Sequence, residues 1–148
     1  MKRESGFTTM ELLIVVGIMG IVTAIGAISY LTMRPTLRLS GSAQQILGDL
    51  MTARMKAVNE NNNYKVFFID SQQYKILDDD DGNGSQDAGE WSETKDIQDN
   101  YPGITISATA EPSFSARGTS STLATITVSN TSGSKDITVR STGQVKIN

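Results

Sequence analysis

Positions 7–31 are almost uniformly apolar, and Glu11 is the only charged residue among them. No residue in 12–31 is charged, and those 20 residues make about 30 Å of helix, the thickness of a bilayer's hydrocarbon core. Lys2 and Arg3 precede the run and Arg34 closes it. Positive residues are retained on the cytoplasmic side, so the short leader is expected inside and the remainder outside. The pattern predicts a transmembrane helix over 7–31.

The spacing then changes. Pro35 predicts a kink or brief break, because proline lacks the amide hydrogen a helix needs and restricts the residue before it. Beyond it Leu39, Ala43, Ile46, Leu50, Ala53 and Ala57 recur every three or four residues, widened by Leu47 and Val58. This predicts an amphipathic helix over about 40–59 whose stripe packs on a sheet, ended by Asn61-Asn62-Asn63. From Tyr64 onward the runs 64–69, 74–77, 103–108, 123–128, 137–140 and 144–147 have strand character. Asp70-Ser71-Gln72-Gln73 turns the first pair into a hairpin, and Ser141-Thr142-Gly143 turns the last. The stretches 113–121 and 130–134, rich in Ser, Thr and Gly, read as loops or edge strands. The fold class is therefore α+β: a long N-terminal helix packed on an antiparallel β-sheet head over about 64–148. After the membrane segment, residues 32–148 leave room for one modest domain.

Composition narrows the chemistry. The 148-residue chain has no Cys, which excludes disulfides and thiolate metal sites, and no His, the commonest general base. An enzyme would have to work with carboxylates, Lys, Tyr or hydroxyls alone, and no nucleophile–base pair or catalytic carboxylate geometry stands out, so an enzyme is not expected. A net charge of −3 offers no basic field for nucleic acid.

Two features remain unexplained by an ordinary membrane anchor. The polar-to-apolar break falls before the apolar run, at Gly6-Phe7, whereas a secretory signal is cut beyond its apolar run. Glu11 places a carboxylate in an apolar helix, at a cost of about 2.5–3.5 kcal/mol near a helix centre and less near the interface. The stretch Gly6-Phe7-Thr8-Thr9-Met10-Glu11-Leu12-Leu13-Ile14-Val15-Val16 resembles the processing motif of type IV prepilins and type II secretion pseudopilins. The resemblance implies a leader peptide at 1–6, cleavage after Gly6 by a prepilin peptidase, and methylation of the new Phe7 amine. It also implies that Glu11 pairs with the terminal amine of a neighbouring subunit during assembly. A lone carboxylate and a lone ammonium in an apolar setting each relieve the other's desolvation cost.

The head resembles the H-type (GspH/FimT-like) minor pseudopilins and minor pilins. The stretches that carry this are 50–58 on the helix, the 64–70 strand, Phe114-Ser115-Ala116-Arg117-Gly118, and the closing 137–147 hairpin with Gly143. It implies a pilin-like fold and a structural role in the inner membrane, with the head in the periplasm and other pilin or pseudopilin subunits as partners. Major pilins often carry a proline within the membrane helix; here none precedes Pro35, which favours a pseudopilin or minor pilin. Some FimT-like minor pilins bind DNA through a Gly-Arg-x-Arg motif. The corresponding residues here are Gly143-Gln144-Val145-Lys146, without the bidentate phosphate fork, which argues against nucleic acid as a partner.

The segment 78–90 is the most acidic part of the head, with six carboxylates in 13 residues. In one register it fits the 12-residue calcium loop: Asp79, Asp81 and Asn83 at positions 1, 3 and 5, and Gly84 at the sharp turn. Ser85 then gives the backbone carbonyl, Asp87 the ninth position and Glu90 the bidentate twelfth. Alternation aims successive oxygens at one hard cation. The same residues also read as a solvated acidic turn, since Asp-Gly and Asn-Gly are ordinary turn dipeptides.

Three functions follow in order: a minor pseudopilin of a type II secretion pseudopilus, a minor pilin of a type IV pilus, and a membrane-anchored module using the loop for calcium-dependent binding. Mass spectrometry of the protein from its native membrane is expected to show a chain beginning at Phe7 with one extra methyl on its amine. A mature terminus beyond residue 31 would identify the apolar run as a removed secretion signal instead.

Overall fold

The computed structural model describes residues 6–148, apart from the side chain of Ile28. The expected leader at 1–6 thus lies outside the described residues except for Gly6. Helix α1 spans Thr9–Glu60 and is followed by eight strands: β1 Asn63–Phe68, β2 Gln73–Asp79, β3 Ser92–Asp96, β4 Thr105–Ala108, β5 Ser113–Phe114, β6 Ala124–Asn130, β7 Gly133–Val139 and β8 Val145–Ile147. A single 3-10 turn, Ile97–Asp99, lies between β3 and β4. The chain divides at Arg34/Pro35 into two units.

In the first unit, Thr8 caps α1: its hydroxyl accepts the Glu11 N–H at 3.2 Å. Glu11 therefore stands in the first turn, where the positive end of the helix dipole favours a carboxylate. The Thr23 hydroxyl donates back to the Met19 carbonyl at 2.7 Å, and the Thr32 hydroxyl to Ser29 at 2.9 Å. Such bonds satisfy hydroxyls within the helix itself, as apolar surroundings require. Each large apolar side chain described from Phe7 to Met33 is at least 45 % exposed, so the protein itself supplies no core for them.

The expected break at Pro35 does not occur, because α1 contains it. A proline in a helix removes one N–H···O bond and costs about 3 kcal/mol, which long helical stretches on both sides offset. Its carbonyl also accepts from the Asn130 amide at 2.7 Å.

In the second unit the strands form two four-stranded antiparallel sheets, ordered β3-β2-β1-β5 and β4-β6-β7-β8, where the sequence suggested one. The predicted hairpins are present: β1 pairs with β2 from Asn63↔Asp79 to Phe68↔Tyr74, and β7 with β8 from Ile137↔Ile147 to Val139↔Val145. The stretch 130–134, read as a loop or edge strand, is the tight turn that joins β6 to β7. The predicted helical stripe Leu39, Ala43, Ile46, Leu50, Ala53 and Ala57 is buried along its whole length. It shares one core with Tyr64, Val66, Tyr74 and Ile76 of the first sheet and Ile106, Ile126, Val128, Ile137 and Val139 of the second.

Helix, β5–β6 loop and last hairpin converge at Arg54, whose Nε donates to the Gly118 carbonyl at 2.8 Å. Gly143 sits against the same carbonyl: a Cβ there would lie 1.9 Å from the Gly118 oxygen and 2.9 Å from Arg54 Nε. Its φ of 76° adds the left-handed penalty of about 1–2 kcal/mol for any other residue. Gly143→Ala is therefore expected to cost roughly 3–5 kcal/mol and lower the melting temperature by about 10 °C or more. Gly133→Ala, at a positive φ but with nothing within 4 Å of the new methyl, should show only the smaller conformational loss in the same thermal melt.

Candidate functional sites in the acidic loop and the N-terminal segment

The acidic segment follows β2, and the register of the β1–β2 ladder decides where it goes. Pairing of Asn63 with Asp79, Lys65 with Leu77 and Phe67 with Lys75 puts these six residues on one face of the sheet. Tyr74 and Ile76 alternate with them and face the helix. Yet Leu77 is fully buried and Asp79 is 2 % exposed, although both lie on the outer face. What meets this face is the loop itself. Lys65 Nζ donates to the Gly84 carbonyl at 3.0 Å, and Lys75 Nζ to Gln86 Oε1 at 2.8 Å. The segment is thus a flap lying on the sheet, not a turn projecting into solvent.

Within the flap, one carboxylate oxygen each from Asp79, Asp81 and Glu90 lies within 4.8 Å of the others. Asp79 accepts the Gly84 N–H through both oxygens, at 3.1 and 3.2 Å. Gly84 takes φ 74°, the left-handed turn expected at that position. Glu90 reaches back to the N–H groups of Asp80, at 3.0 Å, and Asp87, at 2.8 Å. The Asn83 amide nitrogen donates to Asp81 at 2.8 Å and to Asp87 at 2.5 Å. Asn83 Oδ1 meanwhile accepts the Ser85 N–H at 2.6 Å. Of the six residues named from the sequence, Asp79, Asp81 and Glu90 converge, Asn83 and Asp87 are bonded to them, and Ser85 joins through Asn83. Asp80, which falls between ligand positions, instead accepts from Asn62, as does Asp78 at 2.7 Å.

Sequence reasoning did not find the supports of this flap. Lys65 anchors it and also pairs with Glu111 at 3.0 Å. Lys56 of α1 lies 3.6 Å from the centroid of Trp91, the residue following the flap. The signal available was the lysine in each of β1 and β2, Lys65 and Lys75, on the face opposite the core.

Two buried tyrosines tie α1 to the first sheet. The Tyr74 hydroxyl donates to Asp49, which also receives Lys95 Nζ at 2.6 Å. Burial first, then this hydrogen bond, pushes the Tyr74 phenol far above its usual range. Burial and a hydrogen bond to Glu60 do the same for Tyr64. Both phenols are structural donors that stay protonated at neutral pH. The Asp78 carboxyl is also raised, chiefly by burial.

At the other end, Gly6 and Phe7 precede α1 in exposed, non-helical chain, and Phe7 is 82 % exposed. Gly6, Phe7 and Glu11 thus lie together around the start of the helix. Among the described residues, α1 is the one helix long and apolar enough to cross a membrane, with a mean hydropathy of 2.5 over its most apolar window.

Comparison with solved structures places the fold. The chain aligns with the minor pseudopilin EpsH from the type 2 secretion system of Vibrio cholerae at a TM-score of 0.58 and 13% identity, covering 75% of this chain and 96% of that one. It aligns with the type IV minor pilin FimU of Pseudomonas aeruginosa at 0.57 and 18% identity, covering 74% and 87%. At these identities the likeness is one of fold, and it is pilin-like. No curated protein matches the sequence. The family described as Type II transport protein GspH matches residues 42–143, which span most of the buried half of α1, strands β1 to β7, the acidic flap and the Arg54–Gly118–Gly143 junction. The chain belongs to the GspH family of type II transport proteins.

Proposed function

We propose that this chain is a minor pseudopilin, a structural subunit of a type II secretion pseudopilus anchored in the inner membrane with its head in the periplasm. The family match over 42–143 carries the reading. The exposed apolar helix supports it, since that surface needs either lipid or the helices of neighbouring subunits. In this reading Glu11, in the first turn of α1, meets the terminal amine of a neighbour once Gly6-Phe7 is cut by a prepilin peptidase. The likeness to FimU keeps a type IV minor pilin as the second reading. Deleting the gene is expected to leave secreted enzymes trapped in the periplasm while surface pili persist. Glu11→Ala should fail to restore secretion although the variant still inserts in the membrane, because the change removes a costly charge. Loss of pili with normal secretion would establish the pilus reading instead.

We further propose that the acidic flap binds calcium through Asp79, Asp81, Asn83, Ser85, Asp87 and Glu90. Burial of Asp79 beside two further carboxylates supports this, because such a group carries a desolvation cost that a cation removes. Calcium takes 6–8 oxygens, and Asn83 would turn its amide to present Oδ1. A fragment beginning at Pro35 holds the entire core. Its melting temperature is expected to rise by several degrees in excess calcium, about 2.7 kcal/mol at 100 times the Kd, and less in magnesium. Asp79→Ala, Asp81→Ala and Glu90→Ala should abolish the gain, whereas Asp80→Ala should keep it. An equal response to all four substitutions, or none to calcium, would leave a solvated acidic flap.

A further inference from the structure

Helix α1 and the β5–β6 loop border an open groove of about 360 Å³. Met51, Met55 and Val58 line it, all between 45 and 56 % exposed. Arg54 and Arg117 border it, one from the helix and one from the loop. The floor is Gly118, whose missing side chain keeps the space open. A Cβ there would stand 3.1 Å from Val58 Cγ2, and its φ of 73° disfavours any replacement.

The charge in this groove is unbalanced. Ion pairs among the described residues join Lys65 to Glu111, and Lys95 to Asp49 and Glu93; neither arginine takes part. Arg54 uses Nε on the Gly118 carbonyl. The two acids of α1 nearest in sequence are committed elsewhere, Asp49 to Tyr74 and Lys95, and Glu60 to Tyr64. A methionine-lined surface adapts to varied apolar shapes, and guanidinium forks select carboxylates.

We propose that this groove receives an acidic segment of a neighbouring pilin-like subunit, an Asp or Glu flanked by apolar side chains. The carboxylate lies between Arg54 and Arg117 and the apolar neighbours cover Met51, Met55 and Val58. The proposal rests on the filament reading above, and it assigns the face of the head that makes the contact and the chemistry it selects.

The test places a photo-crosslinking phenylalanine analogue at Met55 in the full-length chain, in its native membrane, and sequences the cross-linked peptide by mass spectrometry. Entry of the chain into sheared pseudopili is scored in parallel. The expected peptide comes from a different pilin-like subunit and has Asp or Glu beside apolar residues. Arg117→Glu should reduce its yield at least fivefold, and Arg117→Lys, which keeps the charge but loses the fork, should retain only part of it. The exposed Arg117 side chain makes no ion pair among the described residues, so unchanged melting of Arg117→Glu verifies that folding is not the cause. A peptide without a carboxylate, a peptide from a second copy of this chain, a nucleic-acid adduct, or no adduct in a chain that does enter pseudopili overturns the proposal and leaves the filament reading standing. Absence of the chain from pseudopili overturns both.

Discussion

Leu39, Ala43, Ile46, Leu50, Ala53 and Ala57 are shielded from solvent because two separate sheets share one core with them. A single helical face therefore has to satisfy both sheets, and the rest of the head is arranged around that demand. Each buried Leu or Ile contributes about 1.5–3 kcal/mol of transfer free energy, while the alanines keep the helix slim where other chain comes near. The same economy of side chains appears at Gly41, where a Cβ would come within 2.5 Å of the Tyr101 ring, and at Gly143. Polar ties then fix the helix's rotation about its axis. Asp49 holds Tyr74 and Lys95 on one sheet, and Arg54 holds the loop that leads into the other.

Because the inner faces are committed to α1, the outer face of the first sheet is left for the acidic flap. That placement explains how Asp79 becomes a buried carboxylate in a run of aspartates that would otherwise be solvated. Lys65 is central to it. Its ammonium meets the Gly84 carbonyl, pairs with Glu111 and lies 4.2 Å from the centroid of the Phe67 ring. It holds the loop by its backbone and leaves the converging carboxylates of Asp79, Asp81 and Glu90 to one another.

The two halves of α1 meet opposite requirements with one kind of secondary structure. From Pro35 on, an apolar stripe is covered by the protein's own strands. Up to Arg34 every described large apolar side chain is exposed. A helix of the second kind is stable in lipid or among other such helices, since its backbone groups are satisfied internally. Glu11 is tolerable there for a local reason as well: it sits in the first turn after the Thr8 cap, where the helix dipole offsets part of its cost.

Periodicity alone determined the apolar segment, the stripe from Leu39 to Ala57 and the first and last hairpins, because these depend on neighbours a few residues apart. The spacing of Asp79, Asp81 and Glu90 around Gly84 was legible for the same reason: a 12-residue loop closes on itself. That the helix runs unbroken through Pro35 was hidden, because the local cost of a proline is visible in sequence and the cooperativity of the flanking helix is not. The division into two sheets was hidden because β1 finds β5, and β4 finds β6, through pairings that no local pattern announces. The fold-back of the flap likewise depends on which face of the sheet the helix has already taken. That Arg54 and Arg117, 63 positions apart in the chain, border one groove was decided by tertiary structure alone. Contacts between residues far apart in sequence are selected by what remains unburied once the core has formed, and that quantity exists only in the folded chain.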